Sequence, residues 1–479
     1  MFEFSSIEHY HAQLQQENCT CELAVQQYLR RIKNNIHLNA FIEVFEKEAL
    51  EKAQQLDQKR KSGEPIKKLH GVIIALKDVI CYQGHKVSAS SNILKNFTSV
   101  YSSTAVERLL AEDAIIIGRT NCDEFAMGST NENSAYGKVL NALDETRTPG
   151  GSSGGSAVAV QADLCMISLG TDTGGSVRQP ADFCGIVGLK PTYGRISRYG
   201  LIAYASSFDQ IGIFGKNIAD VSKALEVIAG PDEYDSTVSQ KRVEKYLSAL
   251  NEKKKFRFAY FPEALEHPSL DPEISSSIKN LIEELKYDGH EVKPVSFELL
   301  DYIVPAYYVL TTAEASSNLS RYDGIKFGYR TSGQGLELDE FYKRTRTEGF
   351  GKEVKRRIML GTFVLSAGYY DAYYTRAQKV RKQLVDKTNK IFLDFDFIIL
   401  PTSPTPAFKL GEKINDPVAM YLADIYTVIA NLTGIPAISI PLFRHSNGMP
   451  FGLQLMAKRF NESSLLQLAL QLMERKAHM

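Results

Sequence analysis

The chain has 479 residues, of which 44% are hydrophobic and 23% are charged. This composition is typical of a globular enzyme with a large core, and it excludes an intrinsically disordered protein. The 56 lysines and arginines balance the 56 aspartates and glutamates, so the whole chain lacks the positive field with which proteins hold nucleic acids. If a nucleic acid takes part in the function, we expect another molecule to bind most of it.

The cysteines and the N-terminus indicate the cellular compartment. Six cysteines are scattered along the chain without the paired spacing of a metal site, which predicts reduced thiols and no bound metal. The first residues have neither the basic start nor the apolar segment of a secretory signal. No run approaches the roughly 18 apolar residues of a membrane-spanning helix. We therefore expect a soluble, cytoplasmic protein that binds no membrane.

Residues 1–65 are predicted to form a helical N-terminal layer. The segment CELAVQQYLRRI has apolar residues near helical spacing, and EKEALEKAQQLDQKRK continues with a charged face until Gly63 and Pro65 end it. Residues 66–217 change to apolar runs of strand length, GVIIAL and AIIIG, with the helical pattern AVERLLAED between them. These residues also contain the motifs that indicate chemistry.

Residues 218–390 are predicted to be rich in helices. IADVSKALEVIAGP is one, and DPEISSSIKNLIEELKYDG is another, with Asp271 as its N-terminal cap and Gly289 as its stop. Residues 391–479 return to the core and end in the helical SSLLQLALQLMERK.

The alternation of these patterns predicts the fold class. Valine- and isoleucine-rich runs, which include the later FRFAYFP and FDFIILP, alternate with helices. This arrangement favours an α/β fold with a mixed, mostly parallel central sheet that helices cover on both faces. We find no internal repeat and no long linker, so residues 1–479 are predicted to form a single large domain.

The loop GGSSGGS, residues 150–156, has the composition of a flexible linker. A linker lies between polar flanks, whereas this loop runs directly into the apolar SAVAV. The phosphate-binding pattern GxxxxGK[ST] is absent, and the loop contains no lysine. We therefore interpret it as a tight turn that presents serine hydroxyls to a buried site.

A second motif, GTDTGGSVRQP, places Ser176 directly after Thr173, Gly174 and Gly175. Backbone N–H groups of such a turn can converge into an oxyanion hole beside the serine hydroxyl. No histidine lies between His85 and His267 to serve as a base within this part of the chain. By itself, a Gly-Gly-Ser sequence is also compatible with an ordinary turn.

Lys77 is the alternative candidate for the base. It ends the apolar run GVIIALKD, and burial at the end of a strand lowers the pKa of a lysine until a neutral amine is available. The other interpretation is a surface lysine that lays its stem along apolar groups and keeps its ammonium in water.

Together these motifs resemble the amidase signature family. The family pattern is a lysine in GxxxxxKD, here residues 71–78, followed by GGSSGGS and by GTDTGGSxRxP, here residues 170–180. The resemblance implies that Ser176 is the nucleophile, that Ser152 is a bridging serine in a cis peptide bond, and that Lys77 removes a proton through Ser152.

The same resemblance implies three supporting residues, Ser153, Asp172 and Arg178, which would hold the catalytic residues in place. Purely structural hydrogen bonding is an equally open interpretation of these three side chains. The oxyanion hole would use the N–H groups of residues 173–176.

Within the family, the chain is similar to the glutamine-hydrolysing subunits of tRNA-dependent amidotransferases. The segments EGFGKEVKRRIMLGTF and MYLADIYTVIANLTGIPAISIP carry this similarity. It implies that Arg357 and Asp424 bind the carboxylate and the ammonium of free glutamine. Arg356 remains an alternative to Arg357, and Met127 and Gly128 are expected to line the pocket.

That similarity also implies two partners, the B and C subunits of such a complex. The B subunit would activate Glu-tRNA(Gln) with ATP and Mg²⁺, hold most of the tRNA and receive the ammonia, while the small C subunit would wrap the interface. This chain itself would need no cofactor. Two other functions stay open, namely a stand-alone amidase that acts on small amides and a non-catalytic scaffold.

Overall fold

The sheet at the centre of the fold has eleven strands among the described residues. The computed structural model describes residues 2–250, 254–333, 335–412 and 417–477. The strands are β1 (Phe41–Val44), β2 (Ile73–Lys77), β3 (Ile115–Thr120), β4 (Ile167–Thr171), β5 (Val187–Lys190), β6 (Ile211–Gly215), β7 (Arg257–Tyr260), β8 (Glu291–Pro294), β9 (Phe397–Pro401), β10 (Ala437–Arg444) and β11 (Pro450–Ala457).

Helices fill most of the chain between these strands. They are α1 (Ile7–Gln15), α2 (Cys21–Asn34), α3 (Glu46–Lys61), α4 (Thr104–Ala111), α5 (Gly154–Gln161), α6 (Arg178–Cys184), α7 (Ile218–Ile228), α8 (Tyr246–Ala249), α9 (Pro262–Leu265), α10 (Pro272–Tyr287), α11 (Leu300–Asn318), α12 (Leu338–Gly349), α13 (Lys352–Val364), α14 (Arg376–Asp394), α15 (Pro417–Leu422), α16 (Val428–Thr433) and α17 (Glu462–Ala477). A π-helical turn, Asp371–Thr375, precedes α14.

The predicted α/β class and the mixed sheet are confirmed, but the sheet is less parallel than expected. The strand order is β1-β3-β2-β4-β6-β5-β10-β11-β9-β7-β8. Four neighbouring pairs are parallel and six are antiparallel. Parallel pairing occurs where helices connect the strands, as α4 connects β2 to β3. Short connections such as the hairpin from β10 to β11 reverse the chain direction and make antiparallel pairs.

Burial of whole strands shows that the sheet is covered on both faces. Every residue of β2, β3, β4 and β6 is buried, although successive side chains of a strand point to opposite faces. These strands belong to one large hydrophobic core that includes residues from nearly the whole chain.

The helices predicted from apolar spacing are present. Asp271 caps α10 as expected, because its carboxylate accepts hydrogen bonds from the N–H groups of Glu273 and Ile274. Four of the eleven strands correspond to the predicted apolar runs, namely β2, β3, β7 and β9. Among the unpredicted strands, β1 lies inside the N-terminal layer that was expected to be only helical, and β8 lies inside the helix-rich region. Both have four residues and lie at the edges of the sheet, and β8 has a single buried residue, Val292.

Three further features bear on function. All six cysteines are buried and form no disulfide. Within the described ranges, no group of three or more histidine, cysteine, aspartate and glutamate side chains could hold a metal ion. In the same ranges no helix has both the length and the apolar character needed to cross a membrane.

Candidate active site

The site lies where three parallel strands end side by side. β2 is paired with β3 and with β4, so that the C-terminal ends of the three strands meet at one edge. Lys77 is the last residue of β2 and Thr171 is the last residue of β4. Ligand sites of α/β proteins commonly lie at this edge of the sheet.

Lys77 is completely buried among hydroxyl groups. Its Nζ donates hydrogen bonds to Ser152 Oγ at 2.7 Å, to Ser153 Oγ at 2.8 Å and to Thr171 Oγ1 at 2.8 Å. The side chain is 0% exposed, which rules out the interpretation as a surface lysine. The lysine at position 77 and the GGSSGGS loop are therefore parts of one site.

Of the two serines beside Lys77, only Ser152 is free to relay a proton to it. Ser153 Oγ donates its own proton to the carbonyl oxygen of Thr171 at 3.1 Å. The peptide bond Gly151–Ser152 is cis, and the two serines immediately precede helix α5.

Burial lowers the pKa of Lys77 to about 8. Acidic groups nearby oppose this effect, namely Cys122, Asp123, Asp172 and Asp209. A neutral amine is therefore accessible near pH 8, where an exposed lysine stays almost fully protonated.

Ser176 lies in a turn that Asp172 holds. The Asp172 carboxylate accepts hydrogen bonds from the N–H groups of Gly175 at 2.9 Å and Val177 at 3.2 Å. The carbonyl oxygen of Ser176 accepts from Ser153 N at 3.3 Å, which places the turn next to the serine loop. No described residue hydrogen-bonds the Ser176 hydroxyl, and the residue is 9% exposed. The hydroxyl is thus free to meet a substrate.

The structure excludes Gly175 from the predicted oxyanion hole. The N–H of Gly175 already donates to Asp172 and is not available to an oxyanion. No described group accepts from the N–H groups of Thr173, Gly174 or Ser176. These three are the donors that the turn leaves open.

Two glycines let neighbouring side chains approach the turn. Gly175 has a φ of +128°, and a Cβ there would lie 2.3 Å from Thr427 Oγ1. A Cβ on Gly174 would lie 2.3 Å from Tyr307 Oη. Side chains at either position would displace the residues that pack against the turn.

Arg178 pairs with Asp172 in the interior. Both side chains are 0% exposed, and the guanidinium donates to the two carboxylate oxygens at 2.9 and 3.1 Å. Arg178 also donates to Thr427 O at 2.7 Å and to Asn431 Oδ1 at 2.7 Å. Burial alone would raise the pKa of Asp172, but the Arg178 charge overcomes this and holds it well below the usual range.

Arg357 lies in an aromatic enclosure, whereas Arg356 does not. The Cζ of Arg357 is 5.3 Å from the Tyr308 ring centre and 5.6 Å from that of Tyr204. Its Nη1 donates to Tyr204 Oη at 2.9 Å, and its Nε donates to Glu353 at 2.8 Å. The Arg356 side chain is 37% exposed and pairs with the other Glu353 oxygen. The structure therefore favours Arg357 as the arginine of the site.

Asp424 is a buried carboxylate beside Arg357. It accepts hydrogen bonds from Tyr308 Oη at 2.9 Å and from Ser129 Oγ at 3.1 Å. Burial raises its pKa to about 6, against the lowering effects of Tyr308, Arg357 and Ser129. At pH 7 most Asp424 carboxyls are therefore ionised. Asp424 also lies close to the Ser176 turn, because Thr427, three residues further along the chain, donates to Gly174 O at 2.6 Å.

Met127 and Gly128 are both buried and immediately precede a residue that contacts Asp424. The Met127 side chain is completely buried, and a Cβ on Gly128 would lie 2.3 Å from the Asp123 carboxyl carbon. The next residue, Ser129, is the one that reaches Asp424. The role of Met127 and Gly128 as pocket lining stays a prediction.

Several residues of the site were not predicted. They contact the predicted residues from other parts of the chain: Ser129, Thr171, Tyr204, Asp209, Tyr308, Glu353 and Thr427. Only Glu353 had a local signal, since it lies four residues before Arg357 on a helix and such pairs face each other. The others meet the site through long-range folding.

Loss of the Asp172 charge is expected to destabilise the fold. Asp172→Asn leaves the buried Arg178 guanidinium without its partner, so we expect the free energy of unfolding to fall by about 3–5 kcal/mol. Urea denaturation followed by circular dichroism measures this change. Asp386→Asn is the control, because it removes an exposed pair with Lys382 that is worth about 0.5 kcal/mol or less. Equal losses in both variants would contradict the importance of the buried pair.

Comparison with known proteins agrees with this site. A family profile described as Amidase matches residues 23–466. The chain is 50% identical over 472 residues to the A subunit of the glutamyl-tRNA(Gln) amidotransferase of Chlorobium phaeobacteroides (strain BS1), and the match covers 97% of this chain and 98% of that protein. It is 51% identical over 473 residues to the protein of the same name from Pelodictyon phaeoclathratiforme, with 98% of each covered.

Solved structures extend the similarity to the fold. The A subunit of the Thermotoga maritima glutamyl-tRNA(Gln) amidotransferase superposes with a TM-score of 0.76 at 39% identity, over 94% of this chain and 90% of that one. A peptide amidase from Stenotrophomonas maltophilia superposes with a TM-score of 0.81 at 28% identity, over 98% and 96%. Sequence, fold and family profile lead to one conclusion: the chain belongs to the amidase family.

Proposed function

We propose that this chain is the glutaminase subunit of a tRNA-dependent amidotransferase. It hydrolyses glutamine and supplies the ammonia that converts Glu-tRNA(Gln) to Gln-tRNA(Gln). The observation that carries the proposal is the buried pair of Arg357 and Asp424 beside the Ser176 turn. A free amino acid presents one carboxylate and one ammonium, and this pair offers one group of opposite charge to each. The names of the relatives at about half identity support the same function.

The proposed mechanism is acyl transfer through Ser176. Neutral Lys77 takes the proton of Ser152, which takes the proton of Ser176 as its oxygen attacks the carboxamide carbon. The open N–H groups of the turn stabilise the oxyanion. The proton then passes from Lys77 through Ser152 to the departing nitrogen, so that ammonia leaves and a γ-glutamyl ester remains. Water, activated along the same path, cleaves the ester and releases glutamate.

The aromatic and polar partners prepare Arg357 and Asp424 for the substrate. Tyr204 and Glu353 hold the Arg357 guanidinium on two of its nitrogens, which fixes its plane toward a substrate carboxylate. Tyr308 and Ser129 hold the Asp424 carboxylate. A substrate ammonium is expected to dock against it. Both charges lie in a dry environment, where a matched ligand charge gains more than in water.

The proposal includes two partner subunits. The B subunit would activate Glu-tRNA(Gln) with ATP and Mg²⁺ and use the ammonia, and the C subunit would support the interface. The overall reaction joins ammonia to a carboxylate and is a ligation. Equal numbers of acidic and basic residues in this chain suit a protein that leaves most of the tRNA to a partner. We also infer a cytoplasmic location, which suits six thiols without a disulfide.

A stand-alone amidase is the alternative. The peptide amidase superposes over nearly the whole chain, so the fold alone does not separate the two functions. Such an enzyme would keep Lys77, Ser152 and Ser176, but it would have no need of the pair formed by Arg357 and Asp424. The other alternative, a non-catalytic scaffold, is excluded if an ester is trapped on Ser176.

Glutaminase activity tests the proposal directly. We expect ammonia release from glutamine to rise when the B and C subunits are added, and to fall at least about 10³-fold in Ser176→Ala, which lacks the nucleophile. Ser276→Ala is the control, because that hydroxyl lies on the exposed side of α10 and donates to Pro272 O within the same helix. Ammonia release that is the same with and without the partner subunits, but is lost in Ser176→Ala, would assign the chain to the stand-alone amidases.

Substitution of the two arginines tests substrate recognition. Arg357→Met removes the charge that faces the substrate carboxylate, so KM for glutamine should rise about 10- to 100-fold. The same variant should leave kcat/KM for propionamide, which has no carboxylate, within about twofold. Arg356→Met should change neither KM for glutamine nor kcat/KM for propionamide. Equal effects of Arg357→Met on glutamine and propionamide would contradict the proposed pocket.

If Lys77 is the base, kcat/KM should depend on pH. Because the Lys77 pKa is about 8, kcat/KM should rise as pH increases through 8, where the amine loses its proton and can accept one from Ser152. Below that pH the ammonium has no lone pair, and the rate should fall about tenfold per pH unit. Profiles with glutamine and with propionamide separate this effect from titration of the substrate ammonium. A flat profile between pH 7 and 9 would exclude Lys77 as the base.

A further inference from the structure

Asp209 is a buried carboxylate that none of the functional motifs includes. It lies just before β6 and is 3% exposed. Its Oδ1 accepts a hydrogen bond from Thr173 Oγ1 at 2.6 Å. Its Oδ2 accepts from the N–H groups of Tyr204 at 2.9 Å and Ala205 at 3.1 Å. The two oxygens therefore bind two different parts of the active site.

These two parts, Thr173 and Tyr204, each connect Asp209 to a group that contacts the substrate in the proposed mechanism. Thr173 contributes an open N–H to the turn before Ser176. Tyr204 Oη accepts from Arg357 Nη1 at 2.9 Å and donates to Thr311 Oγ1 at 3.1 Å. A continuous line of hydrogen bonds and covalent chain thus runs from the Arg357 guanidinium through Tyr204 and Asp209 to the oxyanion turn.

We propose that Asp209 is a positioning residue that couples recognition of the substrate carboxylate at Arg357 to the geometry of the oxyanion turn at Thr173. This inference rests on the proposed glutamine site. A carboxylate bound to Arg357 holds the guanidinium against Tyr204, and Asp209 transmits the position of the Tyr204 backbone to the Thr173 side chain. Glutamine would then meet a better ordered oxyanion hole than an amide without a carboxylate.

The charge of Asp209 also acts on the base. Burial raises the pKa of Asp209 to about 6, opposed by the Thr173 and Ala205 hydrogen bonds and by Arg198, while Glu314 raises it further. Asp209 is thus ionised at pH 8, where Lys77 titrates, and it is one of the acidic groups that raise the pKa of Lys77. Removal of this charge should shift the Lys77 titration to lower pH.

The first variant is Asp209→Asn, which keeps the shape and removes the charge. Its amide oxygen can still accept from Tyr204 and Ala205, but its NH₂ then faces Thr173 Oγ1 and reverses that hydrogen bond. We expect kcat for glutamine to fall about 10- to 100-fold, with a smaller change in KM, as for other residues that orient a reacting group. The pH midpoint of kcat/KM should move below that of the wild type. Measurements use the chain together with its partner subunits.

A double-mutant cycle at the two ends of the proposed connection, the Thr173 hydroxyl and the Tyr204 hydroxyl, keeps the test independent of the Asp209→Asn variant. Thr173→Val removes one donor to Asp209, and Tyr204→Phe removes the hydroxyl that contacts Arg357. If Asp209 couples them, the loss of kcat/KM in the double variant should be smaller than the product of the two single losses by about threefold or more. Independent, multiplying losses would overturn the coupling even if Asp209→Asn does not fold.

Asp220→Asn is the matched control. Asp220 is also buried and accepts a backbone N–H, from Ile7, together with the side-chain amide of Asn217. The Asp220→Asn variant should be less stable than the wild type, with no change in kcat for glutamine or in the pH midpoint of kcat/KM. An Asp209→Asn variant that behaves like this control would overturn the proposal and leave Asp209 a structural residue.

The proposed function and this inference can fail separately. If the wild type hydrolyses propionamide but not glutamine, the glutaminase assignment is wrong, and coupling to a carboxylate falls with it. The pH shift measured with propionamide then still reports whether the charge of Asp209 acts on Lys77. If glutamine is hydrolysed and the cycle is additive, the function stands and the inference is wrong.

Discussion

The buried ion pair of Asp172 and Arg178 is the interaction on which the rest of the site depends. Asp172 holds the turn before Ser176 by accepting backbone N–H groups, and Arg178 extends to Thr427 and Asn431 in the segment that follows Asp424. One pair therefore joins the turn that contains Ser176, the proposed nucleophile, to the segment that contains Asp424, a proposed substrate-binding residue. The two charges are tolerated inside the protein because each is satisfied by several hydrogen bonds, which offset the cost of desolvation.

The pKa of Lys77 and the shape of the turn before Ser176 both depend on the carboxylates of Asp172 and Asp209. Burial brings the Lys77 pKa down to about 8, and the carboxylates of Asp123, Asp172 and Asp209 limit that decrease. Asp172 and Asp209 also hold the backbone and side chain of the oxyanion turn. A substitution at either carboxylate therefore changes both the geometry at Ser176 and the proton affinity of the lysine, and pH profiles are needed to separate the two effects.

Elements with strong local patterns were predictable, and elements that depend on distant pairing were not. Long amphipathic helices such as α10 follow from apolar spacing and a capping aspartate. β1 and β8 are four residues long and only partly buried, so they lack the apolar run that marks a strand. The balance of parallel and antiparallel pairs was also out of reach, because pairing joins segments far apart in the chain, such as β5 with β10.

Local sequence patterns indicated the chemical type of the site, namely a lysine at the end of an apolar strand, a glycine-serine loop and a second serine turn. Each pattern alone was also compatible with a structural role, so the proposed catalytic roles came from the resemblance of the combined motifs to the amidase signature family. Which atoms of these motifs remain free depends on long-range packing, which local patterns do not contain. Packing pairs the N–H of Gly175 with the Asp172 carboxylate, and it buries the Arg357 side chain while the Arg356 side chain stays partly exposed. Neighbouring residues on a helix point in directions about 100° apart, so only the packing around α13 could choose between the two arginines.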